Sequence, residues 1–319
     1  MSVDILCLRP EADFTRAGVT PSGALTVAYR APGDADVPAL AKTARAMIIP
    51  AVGPRLPASL FEGSSIKLVQ VTGAGLDRLD LAALAAMHIA VSNVPGGSNG
   101  ALAEYTVATA AFLLRRLGWA DAEIRAGRYA EARAQLVAEN AAGLEGMQVG
   151  VVGYGVVGKA VAAAFVRSNG RVSCYDPMMA PGAAGGDNVL RSATLVALLE
   201  ASDVVTLHVP LLDATRGMLG DAELARMKAG AVLIQASRGA VVDEHALARH
   251  IESNHLGGAA VDVYATEPPG IDNPLLALPP AVAHRVLFTP HVAGVTRQAS
   301  AYLFRTAWQN VERALAPAS

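Results

Sequence analysis

The sequence predicts an α/β protein of two domains, each built on a parallel sheet. Three observations lead there. The chain has 319 residues, long for one core and comfortable for two domains. Hydrophobic residues make up 52% of it but aromatics only 5%, so the interior is aliphatic, as packed helices and buried parallel strands require. Strand-like aliphatic runs alternate with helix-like stretches in two series, without an internal repeat or a low-complexity tract.

The first series runs from the N-terminus to about Pro95. Its expected strands are 4–8, 46–49, 67–71 and 89–91, with helical stretches near 37–44, 57–61 and 81–87 between them. This is a small α/β unit with a parallel sheet. The segment from Asn99 to Leu117 follows a Gly/Ser/Asn cluster and carries Leu102, Val107, Ala110, Ala111 and Leu114 at helical spacing. A helix of that length is expected to bridge the domains. The more polar stretch that follows, to Leu144, holds Trp119, Arg125, Arg128 and Arg133 and reads as an exposed arm or a subunit contact.

The second series has six strand candidates: 148–152, 172–175, 204–209, 231–236, 259–263 and 286–289. Helical stretches at 156–168, 193–200, 221–227 and 244–253 separate most of them. Six strands with intervening helices suit a doubly wound dinucleotide-binding sheet of Rossmann type. A last helix, near 297–314, is expected to cross back and complete the first domain. The expected boundaries are therefore 1–98 plus 292–319 for the substrate domain and 99–291 for the nucleotide domain, with the site in the cleft between them.

Charge and composition exclude several function classes. The net charge is −2, and no run of like charges offers a footprint for nucleic acid or an anionic membrane. The start, Met1-Ser2-Val3-Asp4, lacks the basic opening and apolar core of a signal peptide. No stretch of about 18 uninterrupted apolar residues exists. The two cysteines, Cys7 and Cys174, lie in aliphatic strand segments and read as buried thiols, not as a disulfide or zinc framework. A cytoplasmic protein without a metal is the expectation.

Gly153-Tyr154-Gly155-Val156-Val157-Gly158 fits G-x-G-x-x-G, after a strand and before a helix. The first glycine permits the tight turn and the second lets the backbone approach a pyrophosphate. The third lets helix and strand pack closely. Free N–H groups at the helix start face the phosphates. Glycines also serve ordinary turns, but Asp176 ends the next strand at roughly the 20-residue offset the fingerprint expects. A carboxylate there accepts hydrogen bonds from the adenosine ribose and repels a 2′-phosphate. Pro177-Met178-Met179 behind it supply no cation. The pattern favours NAD over NADP.

Reduction of a 2-keto acid needs a cation for the substrate carboxylate and a proton donor for the nascent alkoxide. Arginine suits the first because its planar fork pairs bidentately with a carboxylate. Histidine suits the second because it titrates near neutrality. Ser237-Arg238-Gly239, Thr266-Glu267-Pro268 and Thr289-Pro290-His291 stand at strand ends, where open α/β sheets bind ligands. Singly, Arg238 reads as a surface residue, Glu267 as a turn residue and His291 as a satisfied loop histidine. His245, His250 and His255 are five residues apart, the wrong spacing for an i, i+4 metal pair, and read as surface residues. His208, at the end of an aliphatic strand, is expected to pack near the cofactor. His88 and His284 carry no signal.

Taken in order, these segments resemble the D-isomer-specific 2-hydroxyacid dehydrogenases, a family that includes D-phosphoglycerate, glycerate and D-lactate dehydrogenases. The resemblance covers nearly the whole chain. It runs from Val69 through Gly75 to Asp77, through Asn93-Val94-Pro95 to Ala103-Glu104, and across the glycine turn. It continues in His208-Val209-Pro210-Leu211, Ala236-Ser237-Arg238-Gly239, Asp262-Val263, Glu267-Pro268 and Pro290-His291. It implies a flavodoxin-like α/β substrate domain beside the Rossmann domain, and NAD-dependent hydride transfer to and from C2 of a small 2-keto or 2-hydroxy acid.

By that resemblance Arg238 is similar to the arginine that holds the substrate carboxylate and polarises the keto group. His291 is similar to the acid/base, and Glu267 to the carboxylate that orients it and raises its pKa. Asp262 resembles the aspartate that meets the nicotinamide carboxamide. Val156, Val157, Val209, Pro210, Ala236 and Ser237 match cofactor-lining positions, and Gly294 lies in the loop after the histidine. Peptide N–H groups around Ala74 and Gly75 match donors to the substrate carboxylate. A homodimer is implied.

Pro50 and Val71 stand where phosphoglycerate-using relatives carry arginines, and Glu267 stands where formate-using relatives carry glutamine. Both departures point away from those substrates, and the aliphatic surroundings of Ala74 and Leu76 suit an uncharged side group. Two alternatives accompany this reading: an NAD(H)-sensing interaction protein of corepressor type, and a hydroxypyruvate or glyoxylate reductase using NADPH.

Overall fold

A computed structural model of the chain describes residues 3–21, 23–180 and 188–316. Its contacts divide the chain into two units, Met1–Ser98 with Val295–Ser319, and Asn99–Gly294. The chain re-enters the first unit at Val295, not at 292. The reason is local: the backbone N–H groups of His291, Val292 and Ala293 all donate to Asp262 of the second unit, at 2.8, 2.8 and 2.9 Å.

The first unit is a five-stranded parallel sheet of β1 (Ile5–Cys7), β2 (Val27–Tyr29), β3 (Ala46–Ile49), β4 (Leu68–Val71) and β5 (Ala90–Ser92), in the order β2-β1-β3-β4-β5. This is the flavodoxin-like order. Successive side chains point to opposite faces, and each face has its own core. Leu6, Met47, Ile49, Val69 and Val71 meet Val37, Ala41, Phe61 and Leu84 on one side. Ile5, Cys7, Ala46, Ile48 and Leu68 meet Phe14, Phe304, Trp308 and Val311 on the other. Phe14 is fully buried, with ring centroids 5.0 Å from Phe304 and 5.5 Å from Trp308. The helix Arg297–Leu315 thus supplies one wall of this unit. Strand β2 was not expected from the sequence. It is a three-residue edge strand in which only Ala28 is buried, too little apolar surface to show in the pattern.

The second unit is a seven-stranded parallel sheet of β6 (Gln148–Val152), β7 (Arg171–Tyr175), β8 (Val189–Arg191), β9 (Val204–Leu207), β10 (Val232–Gln235), β11 (Gly258–Val261) and β12 (Val286–Phe288). Its order is β12-β11-β10-β9-β6-β7-β8. The order reverses between β6 and β9, which makes that junction the switch point where doubly wound sheets bind ligands. Strand β8 is the seventh, beyond the six expected. It has three residues, two of them exposed. The helix Asn99–Leu114 belongs to the second unit, where Ala103 and Ala110 pack against Val149, Val151 and Ile234. The following arm holds two helices, Leu117–Arg125 and Tyr129–Ala138, with Ile124, Tyr129 and Val137 exposed. Among the described residues no helix is long and apolar enough to cross a membrane.

Candidate active site

The glycine turn joins β6 to the helix Val156–Arg167. Gly153 has φ +87°, and a Cβ there would lie 2.6 Å from the His208 carbonyl oxygen on the neighbouring strand end. Its N–H donates to the Tyr175 carbonyl at 2.8 Å, tying the turn to β7. A Cβ on Gly158 would lie 2.0 Å from the Gly153 carbonyl oxygen, so this position sets the closeness of helix to strand. Gly155, the helix N-cap, has nothing within 4 Å of where its Cβ would be. The two crowded glycines build a tight turn, and the third leaves a gap at a helix N-terminus. That cradle fits a pyrophosphate.

Asp176 follows β7 beside this turn. Its Oδ2 accepts from the Tyr154 N–H and its Oδ1 from the Met178 N–H, each at 2.8 Å. The carboxylate is held against the turn with lone pairs to spare for ribose hydroxyls. The residues at 181–187 lie outside those described.

After β9, Val209 and Pro210 continue the chain past the switch point. His208 is half-buried, and burial pushes its imidazole down to about 4. It is neutral near pH 7, with Nε2 2.8 Å from the Thr206 hydroxyl.

Strand β10 delivers Ala236, Ser237 and Arg238. Gln235, buried at its end, donates from Nε2 to the Arg238 carbonyl at 2.9 Å. Its Oε1 accepts from the Ser237 N–H and hydroxyl at 3.2 and 2.7 Å. The Arg238 guanidinium donates from one NH to the Ser237 carbonyl at 2.8 Å. A Cβ on Gly239 would lie 1.9 Å from the Tyr264 carbonyl. Glycine here lets the Arg238 turn press against the segment that leads to Glu267.

Glu267 and His291 form a pair. The His291 Nδ1 lies 2.9 Å from Glu267 Oε2 and 3.1 Å from Oε1, and Oε1 also accepts the Tyr264 N–H at 3.1 Å. Their side chains are 26% and 31% exposed, so the imidazole is held on one side and open on the other. His291 has φ +55°, a left-handed conformation that histidine adopts more readily than most residues.

Asp262 is 1% exposed. Its Oδ1 accepts from the Val292 N–H and the Thr289 hydroxyl, and its Oδ2 from the Ala293 N–H. Among the described residues, the hydrogen bonds of its carboxylate all go to the segment that carries His291. It acts here as the clamp of that loop, a role not expected from the sequence.

Two further residues missed from sequence complete the clamp. The Tyr105 hydroxyl lies 2.8 Å from the Thr289 hydroxyl, and the Tyr264 hydroxyl donates to the Thr289 carbonyl at 3.0 Å. Burial, with Asp262 nearby, pushes both phenols up to about 12, Tyr105 against the pull of its Thr289 bond. The Thr289 hydroxyl gives its one proton to the Asp262 carboxylate, so it accepts from Tyr105. Nothing in the local sequence marks Tyr105, which arrives from a helix about 160 residues before Asp262.

In the first unit, Ala74 and Gly75 lie in the loop after β4. Asn93 Nδ2 donates to the Ala74 carbonyl at 2.7 Å and the Val94 N–H to the Gly73 carbonyl at 2.9 Å. With its carbonyls so engaged, the loop keeps the N–H groups of Ala74 and Gly75 without a partner among the described residues. They are available to an anion.

His250 and His255 correct the surface reading. They are half-buried, with ring centroids 5.2 Å apart, and reach the carbonyls of Asp221 and Leu224 at 3.3 and 3.2 Å. The turn at the end of the helix Glu244–Glu252 folds them together where helical spacing alone would not. Among the described residues, no group of three or more His, Cys, Asp or Glu is placed to hold a metal.

Residues 107–293 match the family model for the D-isomer specific 2-hydroxyacid dehydrogenase, NAD binding domain. The chain is 36% identical over 251 residues to an (S)-sulfolactate dehydrogenase of Chromohalobacter salexigens, covering 78% of each chain. It is 34% identical over 235 residues to a D-3-phosphoglycerate dehydrogenase of Archaeoglobus fulgidus, which involves 74% of this chain but only 42% of that longer protein. A D-lactate dehydrogenase of Aquifex aeolicus, solved with NAD and lactic acid, shares the fold with a TM-score of 0.81, 24% identity and coverage of 97% and 95% of the two chains.

Proposed function

The chain belongs to the D-isomer specific 2-hydroxyacid dehydrogenase family, with NAD as its cofactor, and from that premise we propose that it interconverts a small 2-keto acid and the D-2-hydroxy acid. The observation that carries this reading is the Glu267–His291 pair, at 2.9 Å and open on the imidazole's far side.

Gly153, Gly155 and Gly158, with the helix start at Val156 and Val157, hold the pyrophosphate, and Asp176 takes the adenosine ribose. Val209, Pro210, Ala236, Ser237, Asp262 and Gly294 line the rest of the cofactor's path. When bound, NAD supplies the hydride acceptor, and NADH the donor, at the nicotinamide ring.

The chain's own residues do the remainder. Arg238 pairs with the substrate carboxylate and polarises the C2 carbonyl, and the N–H groups of Ala74 and Gly75 are further donors suited to that carboxylate. Glu267 accepts the Nδ1 proton of His291, which leaves Nε2 as the reacting nitrogen. In reduction, Nε2–H of the imidazolium gives its proton to the oxygen on C2. In oxidation, neutral Nε2 takes that proton back. The two directions therefore show opposite pH trends.

The aliphatic setting of Ala74 and Leu76, with Pro50 and Val71 beside them in sequence pattern, supports a substrate with a small side group. The Asp176 carboxylate supports NADH over NADPH. The chain acts in the cytoplasm as a homodimer; exposed Ile124, Tyr129 and Val137 on the 117–138 arm, at 53, 62 and 64%, support the second point. Light scattering of the purified protein tests it, and a monomer refutes it.

The activity is tested by following NADH oxidation against a panel of 2-keto acids, with NADPH in parallel. Turnover with NADH is expected, falling about 10²–10⁴-fold in His291→Ala. Near-normal turnover in that variant would remove His291 from the chemistry.

A further inference from the structure

Beside the carboxyl end of β1, the first unit holds an open cavity of about 520 Å³ walled by Arg9, Asp13, Arg16, Arg297, Ser300 and Phe304. Three pieces of chain build it. Arg9 follows β1, the short helix Glu11–Arg16 brings Asp13 and Arg16, and the first turn of the helix Arg297–Leu315 brings Arg297 and Ser300.

Its charges do not balance. Both Asp13 oxygens are engaged, Oδ2 by Arg9 at 2.8 Å and Oδ1 by Arg16. One carboxylate thus faces two guanidinium groups. Arg297 is a third, and has no ion pair or hydrogen bond among the described residues. Arg9 is only 22% exposed, stacks on the Phe304 ring at 4.6 Å, and keeps a buried Nε with no partner. Arg297 also opens a 19-residue helix whose first turn carries no acid, the end of a helix that disfavours a cation and favours an anion. A concave surface that gathers three guanidinium groups around one carboxylate is charged for a negative ligand.

We propose that this cavity is a binding site for a small oxyanion, a sulfate, phosphate, sulfonate or carboxylate group. Arg9, Arg16 and Arg297 are its charged donors and the Ser300 hydroxyl a neutral one. Arginine forks match the planar edges of such groups, and the Phe304 side offers an apolar wall to any carbon skeleton attached. The anion has two possible sources, a free ion or the terminal acid of an organic acid. Arg9 NH1 lies 3.5 Å from the hydroxyl of Thr72, which opens the loop carrying Ala74 and Gly75, so the second source includes a substrate with two acid groups.

Calorimetric titration with inorganic sulfate and inorganic phosphate tests the proposal, at constant ionic strength made up with chloride. The wild type is expected to show saturable one-to-one binding. Arg16→Ala and Arg297→Ala should each weaken it about tenfold or more, the scale of one charge-assisted hydrogen bond. Arg297→Lys should recover part of the loss. Arg16 is 71% exposed and Arg297 lies on the surface, so both variants are expected to fold, which circular dichroism checks. No saturable binding beyond that of chloride, or unchanged affinity in the double variant, overturns the proposal.

Kinetics then separates the sources. If the double variant raises KM for a 2-keto acid with a terminal sulfonate or carboxylate and spares an uncharged analogue, the ligand is the substrate's second acid. If both KM values stay put while sulfate binding is lost, it is a free ion. Calorimetry does not depend on turnover, so failure of the catalytic reading leaves this test intact.

Discussion

Replacing Glu267 with glutamine removes one charge and almost no volume, and the local hydrogen bonding fixes the consequence. The wild-type carboxylate accepts from His291 Nδ1 through Oε2 at 2.9 Å and from the Tyr264 N–H through Oε1 at 3.1 Å. Glutamine has one oxygen for these two donors. If the oxygen faces Tyr264, the amide NH₂ points at Nδ1 and forces the proton onto Nε2 in the neutral ring. If it faces His291, two N–H groups collide at Tyr264. Either way one charge-assisted hydrogen bond is lost, a change of about 1.5–3 kcal/mol. Expressed in the transition state alone, that lowers kcat between about tenfold and about 150-fold. The pair is about a quarter to a third exposed (26% and 31%), so solvent screening puts the expected loss toward the lower end. In the proposed mechanism Arg238 still pairs with the substrate carboxylate, so KM should change little. Steady-state NADH oxidation measures both constants. A kcat within about twofold of wild type, in a variant that melts normally, would refute the assignment of Glu267 as the group that orients the reacting imidazole.

Three further outcomes are expected. Gly155→Ala should melt like the wild type, because nothing lies within 4 Å of the added methyl, yet bind NADH about tenfold or more weakly. Gly158→Ala, whose methyl meets a carbonyl oxygen at 2.0 Å, should instead lose about 1–3 kcal/mol of stability in denaturant unfolding; equal melting of the two variants would contradict this division of roles. Asp176→Ala should raise KM for NADH and narrow the preference over NADPH, read from parallel titrations, and an unchanged ratio would remove Asp176 from cofactor choice. For His208, burial favours the neutral form, so its folded value of about 4 lies below the unfolded 6.5. Its contribution to stability is complete above pH 6.5 and lost as pH falls toward 4, about 3 kcal/mol at most. His208→Gln should flatten that limb of a pH–stability profile, and an identical limb would show that other groups set it.

Much of this protein was legible in one dimension because its governing interactions are local. Two-sided burial of parallel strands favours near-continuous apolar runs; 46–49 is one, and 149–152 and 204–207 are interrupted only by Gly150 and Thr206. The glycine turn is equally local: Gly153 needs a positive φ and Gly158 the absence of a Cβ, and both needs are written into a six-residue word. Strands β2 and β8 stayed hidden because a three-residue edge strand buries too little to leave a pattern.

The tertiary structure alone decided what depends on residues far apart in the chain. The 24-position separation of Glu267 and His291 in the chain says nothing of their 2.9 Å distance in space. That distance follows from β11 and β12 ending side by side. The Tyr105–Thr289–Asp262 clamp and the cluster of Arg9, Arg16 and Arg297 have the same origin. Side-chain chemistry is carried by the sequence, but neighbours across a sheet or helix face are set by the packing that buries the most apolar surface, and that packing is a property of the whole unit.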